Sequence, residues 1–170
     1  MGTLQDSTNQ ITSCEDDLSI HVELDIEGAA DPRALTAPHG GLSGLRELAE
    51  IDIDVHLFER DHDEPLSADI VGRKAIRLVA HRARLIEVEV RYEHRSIKRE
   101  FAPAKTVFRV LQWAVSKHGF DLDATAAARA NLILPGAETP LPRDSVIGAY
   151  TKPGHHVLVL DLTLRDFTNG

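Results

Sequence analysis

Residues 86–119 read IEVEVRYEHRSIKREFAPAKTVFRVLQWAVSKHG, and this stretch decides the fold of the chain. Its first residues alternate apolar Ile86, Val88 and Val90 with charged side chains, which is the pattern of a strand that buries one face. A polar connection at 92–95 leads into a second strand over 96–101. The stretch therefore begins with a predicted β-hairpin.

After the hairpin the apolar period lengthens from two residues to that of a helix. Thr106 is a residue type that caps helix N-termini. Apolar residues follow it at helical spacing: Val107, Val110, Leu111, Ala114 and Val115. Lys117 and His118 suit the negative end of a helix dipole, and Gly119 suits the position just after a helix. We predict a helix over 106–119.

Two further strands complete this half of the chain. Residues 132–134 form a short apolar strand, and residues 145–150 form a short turn or strand. Residues 157–164 are the longest apolar run, which suits a central strand in a parallel pair. Because the helix must cross one face of the sheet, we expect the last strand beside the first and parallel to it.

The N-terminal half repeats this order in a weaker form. Residues 18–26 alternate strictly, residues 44–51 have helical spacing, and residues 53–59 and 74–81 are predicted strands. Residues 28–44 are rich in glycine, proline and alanine, and no element can be assigned there. We interpret the chain as a diverged tandem repeat, whose short joint at 81–85 favours a semi-rigid relation between the copies.

Charge divides the chain at the same place. Residues 1–84 carry 17 acidic and 8 basic side chains, whereas residues 85–170 carry 10 acidic and 11 basic ones. The acidic half argues against nucleic-acid binding, which needs a basic surface. Two interpretations stay open: the acidity steers a basic partner, or it serves only solubility.

The composition predicts a soluble cytoplasmic protein. Residues 1–17 are polar and acidic, as in a flexible leader, and they contain no signal peptide. No apolar run approaches the roughly 18 residues that span a bilayer, so we expect no membrane association. The single cysteine, Cys14, allows no internal disulfide.

No set of residues in the sequence indicates catalysis or a cofactor. The nine histidines lack the spacing of metal ligands, and the neighbours His155 and His156 would face opposite sides of a strand. Cys14 lies among acidic residues, and Ser145 lacks the glycine context of a nucleophile. We predict no metal site, no cofactor and no enzyme activity.

The order and lengths of the elements in 86–164 resemble those of ubiquitin and its relatives. The strand from Ile86, the turn at 93–95, the helix over 106–119 and the strand over 157–164 occupy corresponding places. With the N-terminal half as a looser copy, residues 18–170 resemble the bacterial tandem ubiquitin-like modifiers of Bil-type antiphage conjugation operons. These are similar to the two-domain interferon-stimulated modifier of vertebrates.

The resemblance implies an α+β protein with two tandem ubiquitin-like β-grasp domains. The first would span 18–84 and the second 85–164, between the leader at 1–17 and a conjugation tail at 165–170. An activating enzyme (ThiF-like) would adenylate the terminal carboxylate, and a conjugating enzyme would help transfer it to target proteins, with phage virion proteins among them. A deconjugating metallopeptidase would reverse the linkage.

The resemblance also assigns roles to residues of the tail. Gly170 would form the linkage, because glycine has no Cβ and can thread a narrow channel. Arg165 would dock on an acidic groove of a partner. Asn169 departs from the double glycine that is usual in the family, and it would demand a wider channel.

A second surface and two other classes of function stay open. Three apolar residues could form a recognition patch: Trp113, Leu132 and Leu134. Trp113 also fits a core or domain-interface position. A non-covalent adaptor would use the tandem modules with an inert tail, and a sulfur carrier would hold a thiocarboxylate at Gly170. The tandem architecture and the missing double glycine weigh against the carrier.

Overall fold

The computed structural model describes residues 19–38 and 41–167 of the chain. These residues contain two sheets of four strands each. The N-terminal domain has the following elements: β1 Ser19–Ile26, β2 Arg33–Pro38, α1 Leu42–Ala49, β3 His56–Glu59 and β4 Ala75–His81. The strand order is β2-β1-β4-β3, with β1 parallel to β4 and the two outer pairs antiparallel.

Alternation along β1 builds the core of the N-terminal domain. Ile20, Val22 and Leu24 of β1 lie in one buried cluster with Leu45 and Ala49 of α1. Because successive strand residues face opposite sides, one helix covers one face of this sheet and leaves the other face uncovered by its own domain. Part of that second face packs against the C-terminal domain.

The C-terminal domain repeats the arrangement. Its elements are β5 Ile86–Tyr92, β6 Arg95–Phe101, α2 Val107–Val115, α3 Ala124–Arg129, β7 Asn131–Ile133 and β8 Val157–Thr163, with a 3₁₀ helix at Ile147–Tyr150. The strand order is β6-β5-β8-β7, and β5 is parallel to β8 as predicted. Val88 and Val90 of β5 share a buried cluster with Val110 of α2 and Leu160 of β8. The chain thus contains two β-grasp domains in tandem.

The hairpin and the cap of α2 follow the sequence closely. Glu93 takes a left-handed backbone conformation (φ 54°) in the tight turn between β5 and β6. Thr106 is the N-cap of α2, and its hydroxyl oxygen accepts a hydrogen bond from the Arg109 N–H at 3.4 Å. A capping hydroxyl satisfies one of the backbone donors that a helix leaves unpaired at its start.

Two predicted bounds in the N-terminal domain are wrong. The helix predicted over 44–51 is shifted toward the N-terminus, because Glu50 adopts a left-handed conformation (φ 56°) and ends α1. The strand predicted from residue 53 begins only at His56. Ile53 is 94% exposed, so the apolar alternation extends into a loop where it buries nothing.

The helix predicted over 106–119 ends earlier, at Val115. The Ser116 hydroxyl donates to the Trp113 carbonyl at 2.7 Å, and the Phe120 N–H reaches back to the Ala114 carbonyl at 2.7 Å. Gly119 lies where the chain folds under the helix end, since a Cβ there would lie 2.3 Å from the Ala114 oxygen. Glycine is therefore needed at 119 because the chain passes close to the backbone of α2. Gly119 is not the residue just after the helix.

Two elements have no counterpart in the sequence prediction. β2 lies within the unassigned residues 28–44, and it buries only Ala37 of its six residues. α3 starts at an Asp123 cap, whose carboxylate accepts from the Ala126 N–H at 2.9 Å. In the described part of the chain, none of the helices is long and apolar enough to cross a membrane.

Candidate functional site

The tail leaves the C-terminal domain at the end of β8. Leu164 is half-buried and still packs against the core. Arg165 is exposed, and its backbone N–H donates to the Thr163 hydroxyl oxygen at 3.3 Å. The predicted linkage residue Gly170 and its neighbour Asn169 lie outside the described residues, so their roles stay predictions.

An exposed ion pair ties the base of the tail to α3. The Asp166 carboxylate lies 3.3 Å from Nε of Arg129. Because both side chains are largely in solvent, the pair contributes at most about 1 kcal/mol. The tail is therefore held only weakly after Leu164.

The three residues of the predicted recognition patch differ in how far their side chains are exposed. Leu132 on β7 is 2% exposed and belongs to the core. Leu134 and Trp113 are half-buried against the same core. Trp113 makes an edge-to-face contact with Phe101 of β6 at 5.4 Å between ring centroids, and β6 and β7 are opposite edges of this sheet. Leu132 contributes no accessible surface to such a patch.

The outer face of the N-terminal sheet packs on the C-terminal domain. Phe58 of β3 and Val79 of β4 lie opposite each other, on the side of the sheet away from α1. Both are fully buried in a cluster with three residues of the other domain: Ala102, Ala104 and Val146. Burying a phenylalanine side chain stabilises by about 2–3 kcal/mol, so this contact is a substantial part of the joint.

Asp61 joins the domains through the start of α2. Its carboxylate oxygen Oδ1 accepts from both the N–H and the hydroxyl of Thr106, each at 3.1 Å. Its backbone N–H donates to the Ala104 carbonyl at 2.8 Å, and its carbonyl accepts from Lys105 Nζ at 2.8 Å. The Thr106 hydroxyl thus donates to the Asp61 carboxylate and accepts from the Arg109 N–H. A residue of the N-terminal domain therefore orients the helix cap of the C-terminal domain.

His81 is a fully buried histidine at the same joint. The Ala83 N–H donates to its Nδ1 at 2.9 Å, so Nδ1 must be the unprotonated nitrogen. Its Nε2 lies 2.7 Å from the Thr151 hydroxyl oxygen, and that hydroxyl donates onward to the Gly148 carbonyl at 3.0 Å. Nε2 must then carry the proton and donate to Thr151. The bonds therefore fix a neutral imidazole in a single tautomer.

A buried carboxylate lies beside this ring. Burial lowers the pKa of His81 from its ordinary 6.5, while the Glu27 carboxylate, 3.7 Å from Nε2, opposes that shift. Glu27 also accepts from the Gly154 N–H of the other domain at 3.2 Å and faces the Arg82 guanidinium at 3.7 Å. The neutral ring and the carboxylate together tie the end of β4 to the loop before β8.

Close backbone approach completes the joint. A Cβ on Gly148 would lie 2.9 Å from both the carbonyl oxygen and Cβ of Pro103, and 3.1 Å from Cδ2 of His81. Such contacts are too short for a side chain to fit without displacing backbone. Pro103 belongs to the same domain as Gly148, so only the approach to His81 lies between the domains. Glycine at this position lets the His81 ring pack directly against the 3₁₀ helix.

The open part of the outer face of the N-terminal sheet carries a groove of about 650 Å³. Two of its three arginines are paired with carboxylates: Arg73 lies 2.7 Å from Glu59, and Arg77 lies 3.3 Å from Glu23. Burial raises the pKa of Asp25 on the same face, with the nearby Glu23 charge acting in the same direction. The mixed, paired charges leave no cluster of one sign to hold an ionic ligand.

Sequence reasoning missed the interface, although one signal was present. In the predicted strand over 53–59, Phe58 falls on the polar side of the alternation, with Asp54 and His56. A phenylalanine on the polar side of a strand indicates that this side meets another surface. His81, at the end of a strand of apolar residues, is a second such exception.

The comparison with family models agrees with the fold of the C-terminal domain. Residues 87–165 match the family model described as BilA ubiquitin-like domain 2. The solution structure of the N-terminal ubiquitin-like domain in the 4931431F19Rik protein is similar at 17% sequence identity; the match covers 63% of this chain and 96% of that chain, with a TM-score of 0.38. A comparison with curated proteins finds no match. Residues 87–165 are thus similar to the second ubiquitin-like domain of BilA, and the chain contains two β-grasp domains in tandem.

Proposed function

We propose that this chain is a protein modifier, conjugated to target proteins through Gly170 in bacterial antiphage defence. The observation that carries the proposal is the match of residues 87–165 to a Bil-family domain, from whose last strand the tail emerges directly. Leu164 is the last core contact, and Arg165 is already exposed. A carboxylate beyond them would be free to enter the site of another protein.

The proposed chemistry needs only the carboxylate from this chain. An activating enzyme joins the carboxylate to the α-phosphate of ATP and releases pyrophosphate. A cysteine thiolate of the enzyme then displaces AMP to form a thioester. A target amine finally displaces the thiolate and loses a proton, which leaves an amide bond. The acid, base and nucleophile all belong to partners, so the chain acts as a substrate rather than as an enzyme.

Tail length and residue types fit this role. Residues 165–170 span at most about 20 Å when extended, enough to reach a buried active site. Gly170 adds no side chain at the reacting carboxylate, whereas Asn169 requires a channel wide enough for an amide side chain. We propose that the exposed Arg165 docks on an acidic groove of the activating enzyme at the mouth of that channel.

The proposed partners are an activating enzyme of the ThiF-like class, a conjugating enzyme, a deconjugating metallopeptidase and target proteins such as phage virion proteins. The test incubates the purified chain with the activating enzyme encoded beside it and ATP. We expect ATP–pyrophosphate exchange and a band that a reducing agent removes. Deleting Gly170 should abolish the reducible band, and Arg165→Glu should weaken exchange.

Lys152→Glu is a matched control, because Lys152 is an exposed cation in the loop before β8, whereas the tail follows the other end of that strand. It should leave exchange unchanged. A reducible band that persists without Gly170 would contradict the assigned linkage residue. If the enzyme activates another modifier but gives no ATP–pyrophosphate exchange with this chain, the modifier proposal is overturned. A non-covalent adaptor is then favoured.

A further inference from the structure

The four sheet edges of this protein differ in how far they are covered. The outer side of β3 is covered, because the Leu66 N–H donates to the Leu57 carbonyl at 2.7 Å. The outer side of β7 is covered in the same way by Leu141, whose N–H donates to the Leu132 carbonyl at 2.8 Å. β2 ends in Pro38, which has no N–H to offer. Of the two edges that no backbone group of the described residues covers, β6 is the longer, at seven residues against six for β2, and only β6 carries several basic side chains.

The register identifies the free backbone groups of β6. The Glu87 N–H donates to the His156 carbonyl at 2.8 Å, so the backbone groups of Glu87, Glu89 and Arg91 on β5 pair with β8. The backbone groups of the remaining β5 residues pair with β6. Their partners on β6 are residues 95, 97, 99 and 101. The N–H and C=O groups of Ser96, Lys98 and Glu100 must then point outward. Within the described residues, no backbone group pairs with them.

The side chains on the α2 side of this edge are basic around one apolar residue. Ile97 is half-buried against the core. The Arg95 guanidinium lies over the Phe120 ring at 5.2 Å, and that of Arg99 lies over the Phe101 ring at 5.1 Å. Neither arginine forms an ion pair with a carboxylate among residues 19–38 and 41–167. Arg95 donates one hydrogen bond to the Phe120 carbonyl at 3.3 Å. Because stacking uses only the face of a guanidinium, each arginine keeps further hydrogen-bond donors for an incoming acid.

The opposite side of the same strand carries no such excess of positive charge. Hydrogen bonds to Glu87 and then to Glu89 raise the pKa of Lys98, whose Nζ lies 3.1 and 3.3 Å from the two carboxylates. Two carboxylates share this one cation, and Glu100 lies on the same side of the strand, so this side has an excess of negative charge and no free cation for an acidic segment. Charge selection at this edge therefore belongs to Arg95 and Arg99.

We propose that β6 binds an extended acidic segment of a partner protein, which adds to the sheet as a fifth strand. Its backbone would pair with Ser96, Lys98 and Glu100, and an apolar side chain would pack on Ile97. Acidic side chains two residues before and after that apolar residue face Arg95 and Arg99. Cross-strand pairs of opposite charge stabilise such an addition.

The same charges select against a second copy of the chain. Antiparallel pairing of two β6 strands about Ile97 would place Arg95 of one copy opposite Arg99 of the other. Like charges directly opposite in a sheet are destabilising. Basic residues on an edge thus prevent self-association, while they leave the edge open to an acidic strand.

The test uses a blocked peptide, Thr-Asp-Thr-Val-Thr-Asp-Thr, added to the isotope-labelled full chain at up to about 1 mM. We expect NMR shift changes confined to the amides of 95–101 and the facing side of α2. A peptide with lysines in place of the aspartates should not bind. A peptide that is N-methylated at the amides facing β6 should lose binding, which separates strand pairing from simple charge attraction.

Two variants test the edge from the side of the protein. Arg95→Glu combined with Arg99→Glu should weaken binding by about tenfold or more, whereas Lys152→Glu should not change it. Ser96→Pro removes one outward N–H from an edge position, where proline is tolerated, and should also abolish binding. Its urea midpoint reports whether it still folds.

Deleting Gly170 should leave peptide binding unchanged, so this outcome is independent of carboxylate activation. The proposal is overturned if no shifts appear at β6, or if the N-methylated peptide binds as well as the parent. Equal binding by the lysine peptide would also overturn it.

Discussion

Replacing Asp61 should destabilise the C-terminal domain, although Asp61 belongs to the N-terminal one. Its carboxylate accepts two hydrogen bonds from Thr106, which caps α2 and is buried. Removing the acceptor leaves both Thr106 donors without their partner, at a net cost of about 1 kcal/mol each. Asp61 also has a left-handed backbone (φ 64°), where alanine costs about 1 kcal/mol more than aspartate or glycine. Asp61→Ala should therefore cost about 3 kcal/mol.

Two further substitutions separate these contributions. Asp61→Gly loses the hydrogen bonds but accepts the left-handed conformation, so it should cost about 2 kcal/mol. Asp61→Asn keeps an acceptor oxygen and tolerates the conformation, so it should cost less than about 1 kcal/mol. The expected order of destabilisation is alanine, then glycine, then asparagine.

The assay is urea unfolding followed by the fluorescence of Trp113, the single tryptophan of the chain. Trp113 lies on α2, so it reports the C-terminal domain directly. The Asp61→Ala midpoint should fall by about 1–2 M urea. If circular dichroism shows a loss of stability while the Trp113 transition does not move, Asp61 acts only within its own domain. Equal costs for the alanine and asparagine variants would refute the hydrogen-bond account.

Three more substitutions test the joint, each by urea unfolding. Gly148→Ala should cost about 1–3 kcal/mol because its Cβ would meet backbone at 2.9 Å, whereas Gly44→Ala, with nothing within 4 Å, should stabilise α1 by about 0.5–1 kcal/mol. Equal effects would contradict the close approach. Phe58→Ala empties a fully buried site between the domains and should cost about 3–5 kcal/mol; a loss below about 1 kcal/mol would contradict its packing role. Stability should fall as the pH drops below about 6.5, because the lowered pKa of His81 keeps the folded ring neutral while the unfolded ring takes up a proton. Four charged or titratable groups face this ring and are part of the response: Glu27, Arg82, His56 and His156. His81→Gln should flatten this slope, and an unchanged slope would assign it to another group.

The sequence predicted the elements that bury a regular stripe. β1, β5 and α2 each place apolar residues at one strict period, and β8 is the longest apolar run, so their type and order could be deduced. β2 could not, because an edge strand that buries only Ala37 has almost no apolar alternation to detect. Ile53 shows the reverse case, since a residue in phase with a strand lies instead in an exposed loop. Periodicity thus predicts burial only where another element covers the face.

The tail and the interface differ in how far the sequence could reveal them. Arg165 is exposed, and its docking role stays a prediction that rests on resemblance to a family. The joint between the domains depends on contacts far apart in sequence, such as Glu27 with Gly154 and Asp61 with Thr106. No local pattern encodes such pairs. The sequence contained two signs of them: Phe58 lies on the polar side of its strand's alternation, and His81 ends a strand of apolar residues.

The joint determines how a partner meets this protein. Its covalent connection is short, running from His81 at the end of β4 to Ile86 at the start of β5. A hinge rotation there would break the His81–Thr151 and Asp61–Thr106 bonds and would expose Phe58 to water. The outer face of the N-terminal sheet is thus occupied over β3 and β4, and the acidic domain keeps a fixed position relative to β8. A protein that contacts the end of β8 therefore meets the acidic domain in one orientation, so the two domains present a single composite surface.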